Sequence, residues 1–262
     1  MTFKMKLFAI LWLAGMVGVL SILLIDLSAV IASLPVRAGT KIPPITPALK
    51  LLTLVQPGIL LILAVLLGVA LAPKVRLSSP IAEAAASGRQ LRRPLLPQII
   101  PGLLGGMMGG VAIVLTAQLW KPLLAPEVIA RIAGFGKLLP VPTRLLYGGI
   151  TEELLMRWAL MTVLVWAIWR LFQKGRERPN SSCYVSAILI SSVVFGVGHL
   201  PVAFLVVPNV TLSLAGYVIV VNSAFGFVAG YLYWRKGLES AMIAHMCTHL
   251  VILTASCLGA YF

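Results

Sequence analysis

Seven long apolar stretches alternate along the chain with short segments that are polar and mostly basic. Their limits fall near 7–31, 49–72, 99–120, 145–171, 184–201, 210–233 and 238–261. At about 1.5 Å of rise per residue, each is long enough, or nearly so, to cross about 30 Å of hydrocarbon as a helix. In lipid every backbone N–H and C=O must be satisfied within the segment, so helices are the expected form. The pattern therefore predicts an all-α polytopic membrane bundle of about seven transmembrane helices. Residues 1–262 read as one integral membrane domain, with spans one to three in 1–144 and the remaining spans in 145–262.

Composition agrees and removes alternatives. Of the 262 residues, 60% are hydrophobic and only 11% charged, too apolar for a soluble domain of this length. The net charge of +14 could suggest a nucleic-acid partner. The basic residues, however, fall in short loops between spans, where they report membrane orientation instead. Arg37, Lys41, Lys50, Lys121, Arg131, Lys137 and Arg144 belong to one side, Arg157 lies inside a span, and the other thirteen belong to the opposite side. The excess on that second side predicts a cytoplasmic N-terminus and an external C-terminus.

Four features of the N-terminal half read as structural. The first apolar run follows Lys4 and Lys6 and ends near VIAS, imitating a secretory signal, but it is too long for one and reads as an uncleaved span. Asp26 falls near its far end, where a carboxylate reaches the interface without needing a function. The segment SSPIAEAAASGRQLRRP reads as a short surface helix or loose loop attracted to anionic lipid. In the third span, Gly102, Gly106 and Gly110, and separately Gly105 and Gly109, recur every four residues. Such small-residue faces allow close helix approach. Cys183, Cys247 and Cys257 are odd in number and contain no C-x-x-C pair, so no disulfide framework or cysteine metal site follows.

Candidate chemistry is confined to spans four, five and seven. Span four contains TEELLMR, with Glu152, Glu153 and Arg157; span five contains FGVGH, with Phe195 and His199; span seven contains HMCTH, with His245 and His249. A charge at membrane depth costs at least a few kcal/mol, so such groups face the bundle interior and mark a working site. Counting helix rise from the span ends places Glu152, His199, His245 and His249 in a shared middle zone. Four-residue spacing pairs Glu153 with Arg157 and leaves Glu152 pointing elsewhere, free to act as a base. A purely structural network of the three is an equal reading of that spacing.

In order and context, E-E-x-x-x-R, F-x-x-x-H and H-x-x-x-N form the pattern of the CPBP (Abi, or type II CAAX-processing) intramembrane proteases. This chain resembles that family from Tyr147 onward, reading EELLMR, FGVGH and HMCTH. The resemblance implies an intramembrane endopeptidase of the bacterial cytoplasmic (inner) membrane, acting on a membrane-associated protein or peptide, with the lipid bilayer and not nucleic acid as its surroundings. It implies that Glu152, helped by His199, activates a water, and that His245 and His249 donate to the developing oxyanion. Glu153 and Arg157 would support the geometry, with Phe195 packed against the His199 ring. Two positions depart from the pattern: Trp158 stands where glycine is common, and His249 where asparagine is common. Asparagine and histidine can both donate a hydrogen bond, but only histidine titrates or ligates metal readily.

Other functions fit some of the same residues. HMCTH has the histidine spacing of H-E-x-x-H zinc proteases, and Glu152, His199, His245 and His249 could supply four ligands. Met246 occupies the place of the glutamate in that motif, which ranks a metal-free site first, with no cofactor. A proton-coupled carrier would use a buried Glu and His relay, but it would more often show two related halves with broken spans. A non-catalytic scaffold or immunity protein of the same family is the remaining alternative.

Overall fold

The computed structural model describes residues 2–35 and 44–261. Arg37 and Lys41, which enter the charge asymmetry, lie outside the described residues. Among those described there are helices and no strands. Seven helical segments are long and apolar enough to cross a membrane: Phe3–Leu24, Pro47–Val75, Arg92–Leu123, Val141–Phe172, Ser181–Val206, Leu212–Arg235 and Leu238–Cys257, called here spans 1 to 7. The chain is a multi-pass membrane protein. Large aliphatic residues such as Leu63, Leu66, Leu104, Met108 and Val194 point outward, as a lipid-facing surface requires.

The first span is shorter than the hydrophobic run suggests. It ends at Leu24, and Asp26 starts a separate helix, Leu27–Ser33. The Asp26 carboxylate accepts from the N–H groups of Ser28 at 2.9 Å and Ala29 at 3.2 Å. It is thus an N-cap, satisfying donors that have no partner inside the helix. Apolarity alone could not reveal this break, because both sides of Asp26 are equally apolar.

Spans 3 and 7 run along each other, span 6 lies beside span 3, and span 5 packs on span 6. The two glycine faces of span 3 explain the first two contacts. A Cβ at Gly102 would meet Ile243, one at Gly106 would lie 2.5 Å from the Ala244 carbonyl oxygen and Cys247 Cβ, and one at Gly110 would meet Val251. The other face serves span 6: Gly105 abuts Leu232 and Gly109 abuts Phe225. Thr248 Oγ1 donates to the Gly106 carbonyl at 3.0 Å, a bond that needs the close approach.

The connection between spans 2 and 3 is neither loose nor merely superficial. Residues Pro80–Ala86 form a helix with Ala82, Ala84 and Ala86 buried. Glu239, at the start of span 7, holds its N-terminus: Oε1 accepts from Ser79 Oγ at 2.6 Å, Ile81 N at 2.9 Å and Ala82 N at 3.0 Å. Glu83 Oε1 also accepts from Ser79 N at 3.0 Å, satisfying the backbone donor of the N-cap residue. The carboxylate that fastens this helix comes from 157 to 160 residues away in sequence, so local composition could not predict it.

Span 4 is held by spans 1 and 2 on one side and span 7 on the other. Thr151 Oγ1 donates to the Gly15 carbonyl of span 1 at 2.8 Å. Trp158 is buried against span 2, where a Cβ on Gly68 would lie 2.1 Å from the indole. The large residue at 158 is therefore accommodated by glycine at 68.

Candidate active site

Span 4 does not run as an ordinary α-helix through TEELLMR. It is π-helical over Arg144–Glu152 and Leu154–Met161. A π-helix closes i→i+5 hydrogen bonds and turns less per residue than an α-helix, and it is rare and frequently found at functional sites. Successive side chains on such a segment are closer in angle, so two adjacent glutamates can approach one target.

That target is His245. Its Nδ1 lies 2.7 Å from Glu153 Oε1, and its Nε2 lies 4.0 Å from Glu152 Oε2. The same Glu153 oxygen accepts from Arg157 Nη1 at 3.0 Å. Glu153 and Arg157 are fully buried or nearly so, whereas the Glu152 side chain keeps 24% of its surface exposed. The expected pairing of Glu153 with Arg157 is present, and Glu153 has a second partner that spacing within one helix could not disclose. With Arg157 beside it, Glu153 acts as a carboxylate acceptor, so His245 donates Nδ1–H and turns Nε2 toward Glu152.

Arg157 is enclosed on its remaining sides. Its Nη2 donates to the Gly226 carbonyl at 3.1 Å, and its Cζ lies 5.0 Å from the Phe195 ring centroid and 5.7 Å from that of Phe225. Phe225 also packs on His245 at 4.4 Å. Phe225 and Gly226 are site residues that sequence reasoning did not single out. One contributes an aromatic face and the other a backbone carbonyl, and neither is distinguishable from the rest of an apolar span.

His199 sits where span 5 breaks between Ser181–Gly198 and Leu200–Val206. Pro201 has no N–H to continue the ladder. At the break, His199 N–H donates to Gly196 at 3.2 Å, and the ring Nδ1 donates to the Phe195 carbonyl at 2.8 Å. The ring thus takes the carbonyl that His199's own backbone N–H would use in a continuous α-helix, which leaves Nε2 available. Phe195 stands edge-on between the two histidines, 4.6 Å from His199 and 5.9 Å from His245. Its packing role is as expected. Glu152 makes no ion pair with His199; its recorded approach is to His245.

His249 stacks on His245 with centroids 4.9 Å apart and planes 15° from parallel. Room for it comes from Gly148, where a Cβ would lie 2.6 Å from His249 Nε2; Gly149 similarly accommodates Met246. Stacked rings do not direct their lone pairs to one point, and His245 Nδ1 is engaged by Glu153. Among the described residues no three His, Cys, Asp or Glu side chains are arranged to hold a metal ion. The four candidate zinc ligands do not fit a tetrahedral donor set as they stand.

The site thus contains a partly exposed carboxylate, a second carboxylate locked to arginine, and three imidazoles around two phenylalanine rings. No curated protein and no solved structure matches the chain. Residues 134–251 match the family model described as Type II CAAX prenyl endopeptidase Rce1-like. That segment contains every polar side chain of the site, from Glu152 to His249, and over it the chain is similar to the Rce1-like type II CAAX endopeptidases.

Proposed function

We propose that the protein is an intramembrane endopeptidase that hydrolyses peptide bonds of membrane-associated substrates with a glutamate-activated water. The observation that supports it best is that Glu152 and Glu153 address opposite nitrogens of one imidazole, one loosely and one tightly. A tight carboxylate fixes the ring; a loose one with solvent access is placed to exchange a proton.

In this reading Glu152 takes a proton from water as the oxygen attacks the scissile carbonyl carbon, with His199 Nε2 as an auxiliary acceptor. The carbonyl π-pair moves to oxygen, and the oxyanion is met by His245 Nε2–H in its imidazolium form. His249 stacks beside it as a second donor. The proton held by Glu152 then passes to the leaving nitrogen as the C–N bond breaks. Glu153 acts as a positioning residue through its bond to Nδ1, and Arg157 neutralises it. Donors preorganised toward the oxyanion are typically worth 10²–10³ in rate each.

The site is proposed to work without a metal. The test incubates purified protein with membrane-anchored and prenylated peptides and reads products by mass spectrometry, before and after chelation. Cleavage indifferent to chelator supports the reading. Activity lost to chelator and restored by zinc contradicts the metal-free mechanism, and no cleavage of any peptide by a folded protein favours the scaffold.

A further inference from the structure

A second polar site lies at the end of the bundle where spans 2 and 3 are joined. A cavity of about 740 Å³ is bounded by Ser78, Pro80, Glu83, Arg89, Arg93 and Pro94, among others. Gly88, at φ +67°, ends helix Pro80–Ala86 in the left-handed conformation and turns the chain back so that Arg89 and the first turn of span 3 face this space. Arg89 and Arg93 are exposed, and neither forms an ion pair among the described residues. Two carboxylates at the start of the Pro80–Ala86 helix are engaged by its own donors. Glu83 accepts from Ser79 N, and Glu239 accepts from Ser79 Oγ, Ile81 N and Ala82 N.

The cavity therefore presents two guanidiniums without an ion-pair partner among the described residues, against the single carboxylate of Glu83, at the mouth of a membrane span. Beside them Leu91, Leu95 and Leu96 are 46%, 37% and 59% exposed, an apolar flank continuous with the lipid-facing side of span 3. A free anion would use the arginines but not this flank. A lipid uses both.

We propose that this cavity is a binding site for an anionic phospholipid, with the headgroup phosphodiester held between Arg89 and Arg93 and an acyl chain along Leu91, Leu95 and Leu96. Arginine pairs suit phosphate oxygens by their planar donor geometry, and basic pockets at span ends are a recognised mode of headgroup recognition. The site is independent of the proteolytic reading, since it shares no residue with the candidate active site.

The test is native mass spectrometry of the full-length protein titrated with phosphatidylglycerol and, separately, phosphatidylcholine. The expected result is a first phosphatidylglycerol bound about tenfold or more tighter than phosphatidylcholine, in line with two basic contacts. Arg89→Gln/Arg93→Gln should abolish that preference, while Lys121→Gln/Lys137→Gln should leave it intact. Both pairs should unfold at the wild-type temperature, because the changed residues are outside the core. Equal binding of the two lipids, a preference that survives the arginine double variant, or displacement of phosphatidylglycerol by millimolar inorganic phosphate would each overturn the proposal.

Discussion

Span 7 is gripped by glycine on two sides, and the two sides have opposite properties. Toward span 3, Gly106 abuts the Ala244 carbonyl and Cys247 Cβ, atoms of the backbone and its immediate attachment. Toward span 4, Gly148 abuts His249 Nε2, the far end of a side chain that can rotate. The first contact sets the distance between two helices. The second sets the position of an imidazole. Small residues in a membrane bundle thus serve packing or chemistry according to what they face, and only three-dimensional contact distinguishes the two.

The largest effect is expected where the charged network meets span 7. Glu153→Gln leaves Arg157 buried without its counter-charge, and breaking a buried pair costs about 3–5 kcal/mol. The variant should accumulate poorly and unfold at lower temperature in detergent. Normal yield and unfolding temperature would mean that Arg157 is neutralised by another group.

The two glycines give the next contrast. Gly148→Ala should displace His249, and a shift of about 1 Å at a catalytic group can cost on the order of 10² in rate. Its unfolding temperature should barely move. Gly106→Ala has no rotatable neighbour to yield, so overpacking should cost about 1–3 kcal/mol of stability, with cleavage per folded molecule near wild type. Parallel assays of stability and cleavage on both variants check this, and equal losses in both readouts would erase the distinction between the two sides of span 7.

The smallest effect is expected for His249→Asn, which keeps a hydrogen-bond donor at the same place. Cleavage should stay within about tenfold of wild type, well short of the 10²–10³ that follows loss of an oxyanion donor. A larger loss would show that the imidazole at 249 does something asparagine cannot, such as titrating or binding metal.

The sequence made the seven spans legible because lipid imposes a length and an apolarity that run on uninterrupted. It made the Glu153–Arg157 pair legible because both belong to one helix. The dual engagement of Glu153 was not legible: His245 is 92 residues away, and the π-helical winding of span 4 alters the angular spacing that a 3.6-residue period assumes. Phe225 and the Gly226 carbonyl were invisible for a different reason, since an apolar ring and a backbone oxygen look the same in every span. The short helix at Pro80–Ala86 was legible, but its burial was not, because its clamp, Glu239, comes from span 7. Asp26 follows the end of span 1, and its role as a cap depends on a chain break that hydropathy does not register.

The division of labour between the adjacent glutamates is the central claim, and cleavage per folded molecule tests it most directly. Glu152→Gln preserves shape and removes a partly exposed base, so the variant should fold with wild-type stability and lose on the order of 10²–10⁴ in rate. An active Glu152→Gln enzyme beside a stable but inactive Glu153→Gln one would contradict the assignment and transfer the catalytic role to the glutamate bound to His245 and Arg157.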